Sequence, residues 1–189
     1  MGWIVRFGRQ VSQHGWQPWL ASLLTVLALQ AGFARAEIRD PGAHFFQPKL
    51  GDLKDDLATA RQEGKKGVLL MFEMDDCPFC SRMKATILNQ SEVQDYFRQH
   101  FLVYPMDVKG DAPMLDFKGK DTTEKVFSLE QRARATPVFI FYDLEGNPMT
   151  RYTGATQNAT EFLLLGRYVV DGAYKSMPFN VYKRQASGK

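Results

Sequence analysis

Apolar positions along the chain fall into short blocks whose spacing alternates between helical and strand-like. Residues 52–63 place Leu53, Leu57 and Ala60 on one side and stop at Gly64, which predicts an amphipathic first helix. After Lys65-Lys66-Gly67, the run Val68-Leu69-Leu70-Met71-Phe72 is continuously apolar and bounded by polar residues, the pattern of a buried central strand. Residues 81–88 continue as a helix behind Pro78, which suits a first helical position because its missing N–H would be unbonded there. Ser91 and Glu92 start a further helix with Val93, Tyr96, Phe97 and His100 on one face, and residues 101–108 read as the next strand. The Gly- and Asp-rich stretch 109–121, with Pro113, predicts a loop or a small hairpin. Residues 123–134 predict a helix with Val126, Leu129 and Ala133 on one side. Thr136-Pro137 opens a strand at 138–142, and a turn through Gly146 leads to its partner at 149–153. Residues 158–170 form a last helix through Phe162, Leu165 and Val169, and residues 173–189 show only weak periodicity. The order is α/β, without repeats or an interdomain linker.

The first 36 residues follow a different pattern. Arg6 and Arg9 precede an apolar stretch from 19 to 29, no acidic residue occurs before Glu37, and Ala34-Arg35-Ala36 supplies the small residues that signal peptidase cuts between. A signal peptide over 1–36, cleaved after Ala36, is the expectation. A retained anchor would need about 20 uninterrupted apolar residues, and Gln30 and Arg35 interrupt this one early. The leader carries three of the 24 Lys and Arg residues and none of the 21 Asp and Glu residues, so the remaining chain is balanced in charge. The basic character of the whole sequence is therefore no argument for nucleic-acid or membrane binding.

Only two cysteines are present, in Cys77-Pro78-Phe79-Cys80, directly after the central strand and at the start of a helix. Thiols at i and i+3 can close and reopen a small disulfide ring, and a helix N-terminus favours the thiolate that attacks. A structural zinc site would want four ligands, but beyond the leader the chain offers no second Cys pair and only His44 and His100. Covalent haem attachment requires His after the second Cys, where Ser81 stands. A purely structural disulfide across two residues would remove little unfolded-chain entropy. Thiol–disulfide exchange remains the leading chemistry. A thiol-based metal carrier using Met74 or Met83 as soft ligands is the minor alternative.

The order of helix, strand, CxxC helix, strand, helix, Thr-Pro strand, hairpin and final helix resembles the thioredoxin superfamily. The run Met71-Phe72-Glu73-Met74-Asp75-Asp76-Cys77-Pro78-Phe79-Cys80 is similar to periplasmic thioredoxin-like proteins of the sulfur-oxidation, SoxW type. The resemblance implies a mixed β-sheet flanked by helices over 50–172, behind an N-terminal extension at 37–49 and ahead of a C-terminal tail at 173–189. It implies a periplasmic thiol–disulfide oxidoreductase with no cofactor beyond its redox-active disulfide. Cys77 then matches the exposed attacking thiol and Cys80 the buried resolving one. Pro137 matches a cis-proline beside the pair, and Thr136, Pro137 and Phe79 would contact an extended substrate. Implied partners are periplasmic protein thiols and disulfides and a membrane thiol electron donor, with no nucleic acid and no membrane insertion after cleavage.

One departure concerns the proton. Thioredoxins carry a buried acid six positions before the first Cys, and this chain has Met71 there. Glu73 lies on the same strand face and could replace it as a catalytic acid–base, or it could be a solvated carboxylate at a strand end. Asp75 and Asp76 bear on direction. The helix terminus favours the Cys77 thiolate by about 0.3 to 1 kcal/mol, and an exposed carboxylate about 6 Å away opposes it by roughly 0.7 kcal/mol. A weakly stabilised thiolate favours a reducing role, with a disulfide oxidase or isomerase as the alternative.

Overall fold

The computed structural model describes residues 1–3, 37–49 and 51–188. Residues 4–36 of the expected leader, up to its cleavage site, lie outside the described residues, as does Leu50. Among the described residues no helix is long and apolar enough to cross a membrane.

The continuously apolar run becomes β1 (Gly67–Glu73), one of the two inner strands of a four-stranded sheet that also contains β2 (Phe101–Asp107), β5 (Val138–Tyr142) and β6 (Pro148–Thr153). The order is β2-β1-β5-β6. β1 runs parallel to β2, with Glu73 opposite Asp107, and antiparallel to β5, with Phe72 opposite Val138. Gly67 starts β1 because the backbone of Tyr142 leaves no room there for a Cβ.

Alternation along the strands feeds two cores. One face sends Leu69, Met71, Val103, Phe139 and Phe141 against α3 (Pro78–Thr86), α4 (Ser91–His100) and α6 (Ala159–Val170). The other sends Val68, Leu70, Phe72, Tyr104 and Ile140 against α2 (Leu53–Gln62) and α5 (Glu124–Glu130). Asp52 caps α2 by accepting from the amides of Lys54 and Asp55, and Gly64 follows it at φ 66°. The 109–121 stretch forms part of a small antiparallel hairpin, β3 (Pro113–Leu115) with β4 (Asp121–Thr123).

Three expectations need correction. In α5 the buried side carries Phe127 and Ser128, while Val126 and Leu129 face outward, and Ala133 lies beyond the helix. Starting the helix at Glu124, behind the Thr123 cap, rotates the stripe so that Phe127 stacks on Phe72. The 37–49 segment is more than an extension. It holds α1 (Pro41–His44), inserts fully buried Phe45 beside Phe97 and Phe162, and covers the β2 edge as Gln47 exchanges hydrogen bonds with Val103. The 173–189 tail is likewise ordered through α7 (Phe179–Ala186), which packs Phe179 and Tyr182 on Tyr168 of α6.

One buried carboxylate makes stability depend on pH. Asp56 accepts a hydrogen bond from Tyr104 Oη at 2.8 Å, but burial outweighs that bond and pushes the carboxyl up to about 6. A folded-state value above the unfolded one means that the folded protein binds the proton more tightly. The resulting stabilisation is present below about pH 4 and is lost as pH rises to about 6, by at most about 3 kcal/mol. Asp56→Asn, which keeps an acceptor for Tyr104, is expected to gain about 1 to 3 kcal/mol over the wild type at pH 8 and little at pH 4. Urea unfolding at both pH values measures the difference.

Candidate active site

The β1–β5 register explains how the site assembles. β1 ends at Glu73, and four residues later Cys77 caps α3, with Pro78 in its first turn. Because Phe72 faces Val138, the Thr136–Pro137 bond just before β5 falls at the same end of the sheet. That bond is cis, the geometry the family resemblance implies. Asp107, opposite Glu73, brings the β2–β3 turn to this end as well.

Cys77 and Cys80 form a disulfide with an S–S distance of 2.11 Å, and the Cys80 amide donates to Cys77 Sγ at 3.1 Å. A helix-start amide directed at this sulfur favours negative charge on it when the bond opens. The resemblance implies an exposed Cys77. Instead, the residue is 3 % exposed in this oxidised form, close to the 2 % of Cys80. Its capping position tucks Sγ under the first turn of α3 and into the core cluster with Met71 and Met83. Phe79 is the exposed apolar group at 58 %, with the Arg82 guanidinium 5.7 Å from its ring centroid. Thr136 Oγ1 is buried and makes no hydrogen bond.

Glu73 is not a solvated carboxylate. Its side chain is 14 % exposed and pairs with Lys84 of α3, whose Nζ donates to Oε1 at 2.8 Å and lies 2.6 Å from Oε2. The Val108 amide donates to the Glu73 carbonyl at 2.9 Å, tying the β2–β3 turn to the strand end. Lys109 in that turn reaches Asp76, next to Cys77, at 3.4 Å between exposed side chains. This contact partly answers the Asp76 charge, although exposed pairs are weak. Buried Glu124 anchors the turn by accepting from the Asp107 amide at 3.3 Å, and it also pairs with Lys49. Burial pushes the Lys49 ammonium down, while Asp107 and Glu73 act in the opposite sense.

A groove of about 800 Å³ runs from Glu73, Ser81 and Lys84 to Phe46 and Lys49 of the N-terminal segment and to Pro105 on β2. Sequence reasoning missed Lys84, Lys109 and this groove. Lys84 lies four residues after Cys80, on one helix face with it, which is a usable signal once Glu73 is suspected. Nothing local marks Lys109. Met83, one of the soft ligands considered for a metal, is fully buried and accepts from Thr156 Oγ1 at 3.7 Å, so it fills the core.

Comparison with known proteins agrees with this geometry. A family model described as a thioredoxin-like domain matches residues 53–169. A thioredoxin-fold protein from Helicobacter pylori is 19 % identical, with TM-score 0.59 over 77 % of this chain and 93 % of its own. A putative disulphide-isomerase from Bacteroides thetaiotaomicron is 22 % identical, with TM-score 0.50 over 77 % and 100 %. A thioredoxin from Thermus thermophilus is 23 % identical, with TM-score 0.50 over 65 % and 88 %. These likenesses bear on the fold. No curated protein matches the chain.

Proposed function

The chain belongs to the thioredoxin-like family and is a thiol–disulfide oxidoreductase, and from that premise we propose that it acts as an exported disulfide reductase or electron carrier. The observation that carries the reading is the Cys77–Cys80 disulfide at the start of α3, at the same end of the sheet as the cis Thr136–Pro137 bond and next to the exposed Phe79 ring. Phe79 offers apolar contact to a partner, and the Thr136–Pro137 segment offers backbone to an extended substrate. The Cys77 thiolate attacks a partner disulfide, its sulfur joins one partner sulfur, and the other leaves as a thiolate. Cys80 then attacks Cys77, re-forms the intramolecular disulfide and releases the reduced partner. Glu73 accepts the Cys80 proton in that second step.

The leader supports export to the periplasm, where a membrane thiol donor would return electrons to the oxidised pair. The similarity around the cysteines favours client proteins of sulfur oxidation or cytochrome maturation. Asp75 and Asp76, just before Cys77, support the reducing direction. The Lys109 contact to Asp76 is the observation that favours the oxidase or isomerase reading instead. Trapping separates the two. Cys80→Ala in exporting cells is expected to accumulate mixed disulfides through Cys77, identifiable by diagonal electrophoresis and mass spectrometry. Under the reductase reading, the captured partners are reduced in the wild-type strain and accumulate as disulfides when the protein is deleted. Partners that instead lose their disulfides on deletion would establish the oxidase.

A further inference from the structure

The outward face of α3 starts beside the sulfurs. Cys80 and Met83 turn into the core, whereas Pro78, Phe79 and Arg82 face solvent. Phe79, at 58 %, is the only exposed phenylalanine among the described residues. Phe79 and Arg82 stand at i and i+3, so the helix sets them on one face, and the Arg82 guanidinium lies 5.7 Å from the ring centroid. Stacking on a ring holds the planar guanidinium while its edge donors stay open. Aromatic residues and arginine are also the types enriched where partners bind.

The charges around this end of the sheet are unevenly paired. Lys84 is engaged by Glu73, Lys49 by Glu124 and Lys109 by Asp76. Among the described residues Arg82 has no carboxylate partner. Arg134, exposed two residues before Thr136, has none either, but no aromatic ring holds it in place. The exposed carboxylates, Asp75 and Asp76, precede Cys77 in the turn between β1 and α3. The surface beside the disulfide is therefore cationic on the helix side and anionic on the turn side.

We propose that Arg82, stacked on Phe79, is the specificity-determining residue of the partner site and selects protein disulfides that carry a carboxylate side chain next to the reacting cysteine. This rests on the reading of Phe79 as a partner contact and names the class of partner. The guanidinium fork matches a carboxylate through two parallel N–H bonds, and the Phe79 ring takes the apolar part of the same segment. Asp75 and Asp76 repel a carboxylate on the turn side, so charge also fixes which way the partner lies over the sulfurs. Arg82 takes no part in the exchange between Cys77 and the partner disulfide.

Matched peptides, each a disulfide-linked dimer of one-cysteine chains, carry Glu, Gln or Lys on both sides of the cysteine. Reduced protein is mixed with each peptide, quenched with acid and alkylated, and the loss of free thiols gives a second-order rate constant. Comparing the Glu-to-Gln ratio of rate constants between proteins cancels the intrinsic reactivity of the peptides. The ratio is expected to be about 3-fold or more higher in the wild type than in Arg82→Gln at low salt, and the excess shrinks at about 0.5 M salt. Arg82→Glu is expected to turn the preference round, with a Lys-to-Gln ratio about 3-fold or more above that of the wild type. Equal Glu-to-Gln ratios in the wild type and Arg82→Gln, or no gain for the Lys peptide in Arg82→Glu, would overturn the proposal. A Glu preference kept in Arg82→Gln and lost in Arg134→Gln would move the contact to the segment before Pro137 and overturn it equally. Failure of all three peptides to oxidise the wild type would instead remove the exchange reading, and the inference with it.

Discussion

Cys77→Ser is expected to reduce insulin disulfides no faster than the chemical reductant does alone, while the wild type catalyses that reduction. The thiolate is the attacking species, and a serine hydroxyl at the same helix cap stays protonated and cannot form the mixed disulfide. The fold should survive the change, since a ring closed across two residues adds little to stability. Turbidity from precipitating insulin B chain follows the reaction. Retention of most activity in Cys77→Ser would remove the exchange mechanism, because the sequence holds no third cysteine to substitute.

A comparably large effect is expected far from the sulfurs. Phe45 is fully buried against Phe46, Phe97 and Phe162, with ring centroids at 5.0, 5.8 and 6.2 Å. Phe45→Ala should cost about 3 to 5 kcal/mol, the usual range for emptying an aromatic site in a close-packed core. Urea unfolding at constant pH measures it. A loss below about 1 kcal/mol, the range of surface substitutions, would mean that the 37–49 segment is an appendage rather than part of the core.

That segment shows where the sequence stops being legible. β1, β2 and β5 are readable because each is a continuous apolar run, and α2, α4 and α6 because their stripes repeat at helical spacing. Phe45 and Phe46 form an isolated pair with no period around them, so nothing local marks them as core. In α5 the apolar residues Val126, Phe127 and Leu129 fit more than one stripe, and the docking of Phe127 on Phe72 decides which side turns inward. Tertiary packing overrides the local pattern there.

The site divides in the same way. The cysteines, Pro137 and the candidate Glu73 are legible because spacing and resemblance mark them. Their electrostatic partners are not. Lys84 meets Glu73 only once the strand–helix turn has folded α3 back on β1, and Lys109 meets Asp76 from a turn 33 residues further on, a contact that exists only once β1 and β2 are paired. The same contacts alter the expected balance at Cys77. Asp76 opposes the thiolate less than its position beside the cysteine suggests, because the Lys109 ammonium lies 3.4 Å from its carboxylate.

Direction is therefore the quantity on which the account turns, and the equilibrium potential of the Cys77–Cys80 couple measures it. Equilibration with defined glutathione buffers, alkylation of free thiols and mass spectrometric counting of modified protein give that potential directly. The reductase reading predicts a value near that of thioredoxin, about −270 mV, with the disulfide persisting in mildly reducing buffer. A value near about −120 mV, with both cysteines fully reduced in the same buffer, would contradict it and make this protein a donor of disulfides.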